Sequence, residues 1–286
     1  MPPLTSELEA DLFAHLVARG LAMINPVRLA GGRSNCVWRA SDTVVKIYRK
    51  EANNPLFAND SQRERASLIA LAGTGMVPHF IDAGTFEGRQ WLAYTHITGT
   101  VWQSGPAHVA QLLGRLHDQP SYSGLPLGCN GSAELSAQTL AILALCNDKV
   151  LLQDLAPEGQ VPGTATPMLI HGDPVPGNLL EHDGTLTLID WQCPQLGDPA
   201  EDLALFLSPA MQLLYRGSPL SQQEEAIFIA AYPDRHVVTR LQALKPWFHW
   251  RMAAYCLWKA EQGGSNDRDA MELELAALQS ISPKAA

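Results

Sequence analysis

The stretch His171-Gly172-Asp173-Pro174-Val175-Pro176-Gly177-Asn178, followed by Ile189-Asp190-Trp191, decides how the chain is read. Met168–Ile170 leads into it as a short apolar strand. Two further strands, Asn178–Glu181 and Leu186–Asp190, are predicted on either side of the turn His182-Asp183-Gly184-Thr185. A hairpin there returns Asp190 to the side of Asn178. Gly177 lets the backbone turn so that the Asn178 amide faces the same centre. The segment thus gathers two carboxylates and an amide at one place. Aspartates that merely cap turns are the plainer alternative, but they would not explain the joint spacing.

Phosphoryl transfer asks little covalent chemistry of a protein. It needs a base beside the attacking hydroxyl, ligands for magnesium, and positive charge on the phosphates. Asp173 can take the proton. Asn178 and Asp190 are hard-oxygen donors of the kind magnesium accepts.

Upstream, the chain is β-rich. A first helix carries Leu8, Leu12, Phe13, Leu16 and Val17 on one face, with Ser6 and Glu9 as a capping box and Gly20 as its close. The loop Gly31-Gly32-Arg33-Ser34-Asn35 precedes two strands, Cys36–Ala40 and Thr43–Tyr48. Glycine amides can approach phosphate closely, and Ser34 or Asn35 can donate to it. A helix near Ser61–Ala72 and strands near His79–Ala83 and Gln90–His96 follow. Beyond Thr98-Gly99-Thr100 the pattern is helical, with helices predicted at about Ala107–His117, Ala133–Asn147, Ala200–Leu207, Ser221–Ala231, Leu241–Gln262 and Arg268–Gln279. The expected organisation is α+β and bilobal: a small β-rich lobe over residues 1–97 and a larger helical lobe over 98–286, with the cleft between them.

Composition agrees with a globular protein acting on a small molecule. The 286 residues are 46% hydrophobic and 17% charged, with a formal net charge of −9. An acidic chain is unsuited to wrapping nucleic-acid phosphates. No signal peptide and no apolar run long enough to span a bilayer are visible, so a cytoplasmic location without membrane attachment is expected. The five scattered cysteines read as free thiols in a reducing compartment.

The Asp173–Asn178 spacing matches the catalytic loop of protein kinases, and Asp190 stands where their metal-binding aspartate follows. More specifically, the chain resembles the aminoglycoside phosphotransferase and choline kinase superfamily, with the kinase-like fold. Leu169–Asp173, Gly177–Leu180, Ile189–Trp191, Gly197-Asp198-Pro199-Ala200-Glu201-Asp202-Leu203-Ala204 and, upstream, Leu113-Gly114-Arg115-Leu116-His117 match its pattern in order. The resemblance implies ATP and Mg2+ as cofactors, Asp173 as catalytic base, and Asn178 and Asp190 as magnesium ligands. It implies Lys46 as the lysine on the α- and β-phosphates and Glu64 as its positioning partner. Gly31, Gly32, Ser34 and Asn35 resemble the phosphate loop of choline- and thiamine-kinase-like members. His171 and Asp202 are expected to support the loop without reacting.

The departures narrow the acceptor. Gly172 replaces the arginine with which protein kinases read activation-loop phosphorylation, and no Ala-Pro-Glu segment follows Asp190. A small-molecule alcohol is therefore the expected partner. Trp247, Trp250 and Trp258 fall on one face of a late helix, as in the Trp-x-x-Trp of choline kinases, and aromatic faces attract quaternary ammonium groups. Choline or ethanolamine is the first expectation, with core packing as the competing role of these rings. Arg251 on the same face and a neutral Gln192 after Trp191 both count against a cation site. An aminoglycoside would need converging carboxylates, for which Glu201, Glu224, Glu225, Glu261, Asp267 and Asp269 are available; thiamine or another hydroxylated metabolite is a further candidate. A kinase-like binding protein without catalysis is disfavoured, since every mapped catalytic position is filled.

Overall fold

A computed structural model describes residues 5–29, 35–49, 54–264 and 266–281. The loop residues Gly31, Gly32, Arg33 and Ser34 lie outside the described residues.

The chain opens with α1 (Ser6–Ala18). Its cap is Thr5, whose hydroxyl accepts from the Leu8 amide at 3.3 Å, so the cap lies one residue before the expected Ser6 and, with leucine at the third helical position, the expected Ser6/Glu9 capping box does not form. Five antiparallel strands follow: β1 (Val27–Arg28), β2 (Cys36–Ala40), β3 (Thr43–Ile47), β4 (Phe80–Phe86) and β5 (Arg89–Thr95), ordered β1-β2-β3-β5-β4. Alternation along β3 sorts its side chains. Val45 and Ile47 pack with Leu12 and Leu16 of α1 under Trp38 and Trp91. Val44 and Lys46 take the other face, toward the rest of the molecule. Between β3 and β4 runs α2 (Ser61–Ala70), capped by Asp60. It is shorter than its expected span to Ala72 and buries Glu64.

β6 (Thr100–Val101) leaves this sheet and joins a second one, ordered β6-β8-β9, with β8 (Leu179–His182) and β9 (Thr185–Leu188) as the central hairpin. Asp183 and Gly184, both at positive φ, make its turn. β7 (Met168–Ile170) pairs with β10 (Gln195–Gly197). Around these strands pack α3 (Pro106–His117), α4 (Ser132–Ala144), α5 (Val150–Asp154), α6 (Ala200–Leu207), α7 (Pro209–Arg216), α8 (Gln222–Ala231), α9 (Arg235–Glu261) and α10 (Asp267–Ile281). A β-sheet N-terminal region and a helical C-terminal region make the fold kinase-like and α+β.

Two helices differ from expectation in ways that matter below. α9 starts at Arg235, six residues before the predicted Leu241, and carries Pro246 within it. α7 was not expected. Ser208 caps it by accepting from the Met211 amide at 3.1 Å, and Pro209 pre-sets its first turn. No helix of the described residues is long and apolar enough to cross a membrane.

Candidate active site

A cleft of about 570 Å3 lies between the N-terminal sheet and the helical region. Val37, Val44, Tyr94 and Ile97 line it from the sheet side, Leu180 and Ile189 from the β8–β9 side. Its charged centre is Lys46.

Lys46 is 3% exposed. Its Nζ donates to Glu64 Oε2 at 2.7 Å and to Asp190 Oδ1. Glu64 is itself fully enclosed and also accepts from the Tyr48 hydroxyl. Burial alone would lower the Lys46 ammonium, but Asp190 and Glu64 outweigh it and hold the group above its usual range. The lysine is therefore a fixed positive charge. For Glu64 burial dominates, and its carboxyl is pushed up despite the lysine.

The loop after β7 is held from below. Both oxygens of Asp202 accept backbone amides, from His171 at 2.8 Å and from Gly172 at 2.8 Å. His117, at the end of α3, lies 3.1 Å from the same carboxylate and 2.7 Å from the Tyr232 hydroxyl. His171 is buried and neutral. Its Nδ1 accepts from the Asp173 amide at 3.2 Å, which leaves Nε2–H to donate to the Ile189 carbonyl at 3.1 Å. Burial lowers its pKa. Gly172 is required by geometry: it sits at φ 78°, and a Cβ there would stand 2.2 Å from the Cys193 carbonyl oxygen. Gly177 has a different role from the one expected. It has no positive φ, and a Cβ would strike the ring of Tyr215 at 2.5 Å. It makes room for that ring.

Asp173 and Asn178 face each other across the loop. Asn178 Nδ2 donates to the Asp173 carbonyl at 2.8 Å and to Asp173 Oδ2 at 3.1 Å. Both amide hydrogens are thereby used, and Oδ1 is left as a hard-oxygen donor. Burial, then the nearby Asp190 charge, push the Asp173 carboxyl well above the usual carboxylate range. Asp190 holds a left-handed backbone, φ 66°, rare for a residue with a side chain. This conformation follows the end of β9 and aims the carboxylate at Lys46. Such strain is found where surrounding structure over-determines a functional side chain. The oxygen set of Asn178 Oδ1 and the Asp190 carboxylate fits a magnesium ion that also takes phosphate oxygens.

The other end of the cleft has a different character. Asn54, Phe57, Met211, Leu214, Tyr215, Tyr255 and Lys259 line it. Phe57 and Tyr255 meet edge-to-face at 5.1 Å, and Asn54 Nδ2 donates to the Tyr255 hydroxyl at 3.0 Å. Burial raises the Tyr255 phenol, with Tyr215 and Asp173 adding to it, so the group is a neutral hydroxyl. Asp173 and Asp190 are the carboxylates among the described lining residues. The sequence reading missed Tyr215 and Tyr255. Tyr255 stands in the aromatic segment of α9 that drew attention, one turn before Lys259; Tyr215 lies on the unpredicted α7.

Several expected contributors are elsewhere. Trp247 and Trp250 are core residues, 5% and 1% exposed, and Trp250 Nε1 donates to the Leu152 carbonyl at 2.6 Å. Neither lines the cleft. Trp258 is half-buried, beside Tyr255 and under Lys259, and is outside the lining too. The physical reason is packing: Trp247 and Trp250 belong to the main hydrophobic core, where large rings fill the space between helices, and Trp258 packs at its edge. Arg251 is buried on the same helix and paired with Glu201 at 2.8 Å. The other carboxylates weighed for a polycation are also outside the cleft lining. Glu224 is bound to Ser221 and Arg216, Glu225 faces Lys245, and Glu261 accepts the backbone amides of Asn147 and Asp148. Asn35 does reach the cleft. Its two amide hydrogens, however, go to Asn59 Oδ1 at 2.7 Å and Gln192 Oε1 at 3.0 Å, so it ties the loop to the segment after Asp190.

Similar architecture occurs in known kinases. A choline/ethanolamine kinase family protein from Mesorhizobium loti superposes with a TM-score of 0.70 at 16% identity, covering 98% of this chain and 95% of that one. The choline kinase LicA from Streptococcus pneumoniae gives 0.65 at 17% identity, covering 95% and 99%. A GDP complex of aminoglycoside 2'-phosphotransferase-IIIa gives 0.67 at 15% identity, covering 97% and 100%. No curated protein matches the sequence. The family model described as the phosphotransferase enzyme family matches residues 26–241, which include Lys46, Glu64, Asp173, Asn178, Asp190 and Asp202. The chain belongs to the phosphotransferase enzyme family.

Proposed function

We propose that this protein transfers the γ-phosphoryl group of ATP to a hydroxyl of a small molecule. The observation that carries this reading is the convergence of Lys46–Glu64, Asp190 and Asp173–Asn178 in one cleft. Val37, Val44, Tyr94 and Ile97 provide an apolar seat for the base. Lys46 supplies the positive charge for the phosphates. Asn178 Oδ1 and Asp190 would hold Mg2+, which, when bound, neutralises charge on the transferring phosphate. Asp173 takes the proton of the acceptor hydroxyl as its oxygen bonds to the γ-phosphorus and the bond to the β–γ bridging oxygen breaks, giving a phosphate monoester and ADP. Burial and the Asp190 charge raise the Asp173 carboxyl, which makes it a stronger base than an exposed carboxylate.

Among acceptors, an amino alcohol such as choline or ethanolamine is the first to test. Its support is no longer Trp247 and Trp250 but Phe57, Tyr215 and Tyr255, whose rings can face an ammonium group. An aminoglycoside is less well served, because none of the six carboxylates weighed for it lines the cleft. The two lobes are taken to divide between β5 and β6, at residues 97 and 98. The test is an ADP-release screen of the purified protein with ATP and Mg2+ against amino alcohols, vitamins, sugars and aminoglycosides. Acceptor-dependent ADP release that Asp173→Asn abolishes supports the proposal. Nucleotide binding with no turnover on any alcohol would leave a catalytically inactive binding protein.

A further inference from the structure

A second cavity of about 260 Å3 lies away from the catalytic cleft, lined by α6, α8, α9 and α10 and by Ser208, the cap of α7. Its wall mixes apolar side chains, among them Leu241, Phe248 and Met252, with two cations paired inside the protein, Lys245 with Glu225 at 4.0 Å and Arg251 with Glu201 at 2.8 Å. One end is polar and has no part in the chemistry described above. There Glu274 of α10 is fully buried. Its Oε1 accepts from the Ser208 hydroxyl and from the Ala210 amide at 3.2 Å, and its Oε2 faces His249 Nδ1 at 2.5 Å. The carboxylate is saturated by these donors. The opposite nitrogen, His249 Nε2, is buried and has no hydrogen-bond partner, and His249 lines the cavity.

A buried ring nitrogen without a partner is costly. Here the cost falls on the wall of a space large enough for a ligand, since a cavity of about 150 Å3 already admits benzene. We propose that this cavity is a binding site for a small, uncharged, amphipathic alcohol. The hydroxyl is selected by the histidine. Nδ1–H is committed to Glu274, so Nε2 is an acceptor in the neutral ring and a donor in the imidazolium. A hydroxyl both donates and accepts, and so matches either state. A carboxylate would match only the second, and the two cations in the wall, Lys245 and Arg251, already have the carboxylates of Glu225 and Glu201 as partners, so an added anion would stand uncompensated beside Glu274. The apolar side chains of the wall take the hydrocarbon body. The site shares α9 with the acceptor end of the catalytic cleft, where Tyr255 and Lys259 are its contribution, and borders α7 through Ser208, the residue that caps it.

The test uses three probes of one shape on the full chain: benzyl alcohol, toluene and benzoate. Calorimetric titration should show saturable binding of benzyl alcohol, about tenfold tighter than toluene, with benzoate weakest. A crystal soaked in benzyl alcohol should place its oxygen within hydrogen-bond distance of His249 Nε2. Ala277→Phe fills the cavity from α10, one turn after Glu274, and keeps both members of the His249–Glu274 pair. It should abolish binding while leaving thermal unfolding and acceptor-dependent ADP release intact. Equal affinity for toluene and benzyl alcohol overturns the hydroxyl assignment. A crystal showing only ordered waters on His249, undisplaced by the probe, or an adventitious additive bound equally in Ala277→Phe, overturns the site.

Discussion

The two ends of the catalytic cleft are built on opposite principles. At the phosphate end nearly every polar atom is bound within the protein. Lys46 is pinned between Glu64 and Asp190, Asn178 between two oxygens of Asp173, and the loop itself is hung on Asp202. At the acceptor end the lining is mainly rings and aliphatic side chains, with Asn54–Tyr255 as a recorded hydrogen bond. Preorganised charge is what a transferring phosphate requires, because reorganising dipoles at the moment of reaction raises the barrier. An acceptor pocket has only to position one hydroxyl, and different side chains can do that.

If the contrast is right, substitutions at the phosphate end should abolish activity and those at the acceptor end should tune it. The largest effect is expected from Asp173→Asn, a loss of turnover of about three orders of magnitude with ATP binding retained. The same substitution removes a carboxylate that burial and Asp190 disfavour, so thermal unfolding should rise by a few degrees. Steady-state kinetics and calorimetry read the two together; near-normal turnover would remove Asp173 from the base role. Asp190→Ala should weaken magnesium-dependent nucleotide binding about tenfold or more and also free Lys46. An unchanged magnesium titration would refute the metal assignment.

Smaller effects separate the acceptor wall from the core behind it. Tyr255→Phe should raise KM for the acceptor a few-fold with nucleotide affinity unchanged. Trp250→Phe should leave both constants alone and cost about 1–3 kcal/mol of stability in denaturant unfolding, because the Leu152 carbonyl loses its donor. A KM change in Trp250→Phe larger than that in Tyr255→Phe would restore the tryptophan face to the acceptor site.

The smallest expected effect is on the pH dependence of stability. His171 has a lowered folded pKa, so its contribution is present above about 6.5, the ordinary histidine value, and is lost as pH falls through it. Asp173 runs the other way. Its folded carboxyl keeps its proton to higher pH than the unfolded chain does, so stability is lost as pH rises through the raised value. Denaturation midpoints followed upward from about pH 4, the ordinary aspartate value, should therefore fall less steeply in Asp173→Asn; an identical profile would show that Asp173 is not desolvated.

The asymmetry between the two ends also governs what could be read in advance. Asp173, Asn178 and Asp190 are joined by one loop and one hairpin, so local turn chemistry and strand alternation suffice to bring them together. Lys46 was legible only through the family resemblance, since a lone strand lysine reads as solvated, and Asp202 because it opens a helix just after the loop. Gly172 was read only as a missing arginine, whereas its place is dictated by the Cys193 carbonyl, a contact across the chain. The tryptophans of α9 were read with the correct helical phase, but phase does not say which neighbour a face meets. Trp247 and Trp250 went into the main core, while Tyr255 and Lys259 reached the cleft beside α7.

By itself the sequence determined the family, because the residues proposed as base, metal ligands and loop anchor stand at its spacing over a few tens of residues. The tertiary structure decided which side chains face the acceptor, which aromatic rings are core, and that a partnerless His249 nitrogen borders a second cavity. These follow from how helices far apart in the chain pack against one another, and no local periodicity encodes that choice.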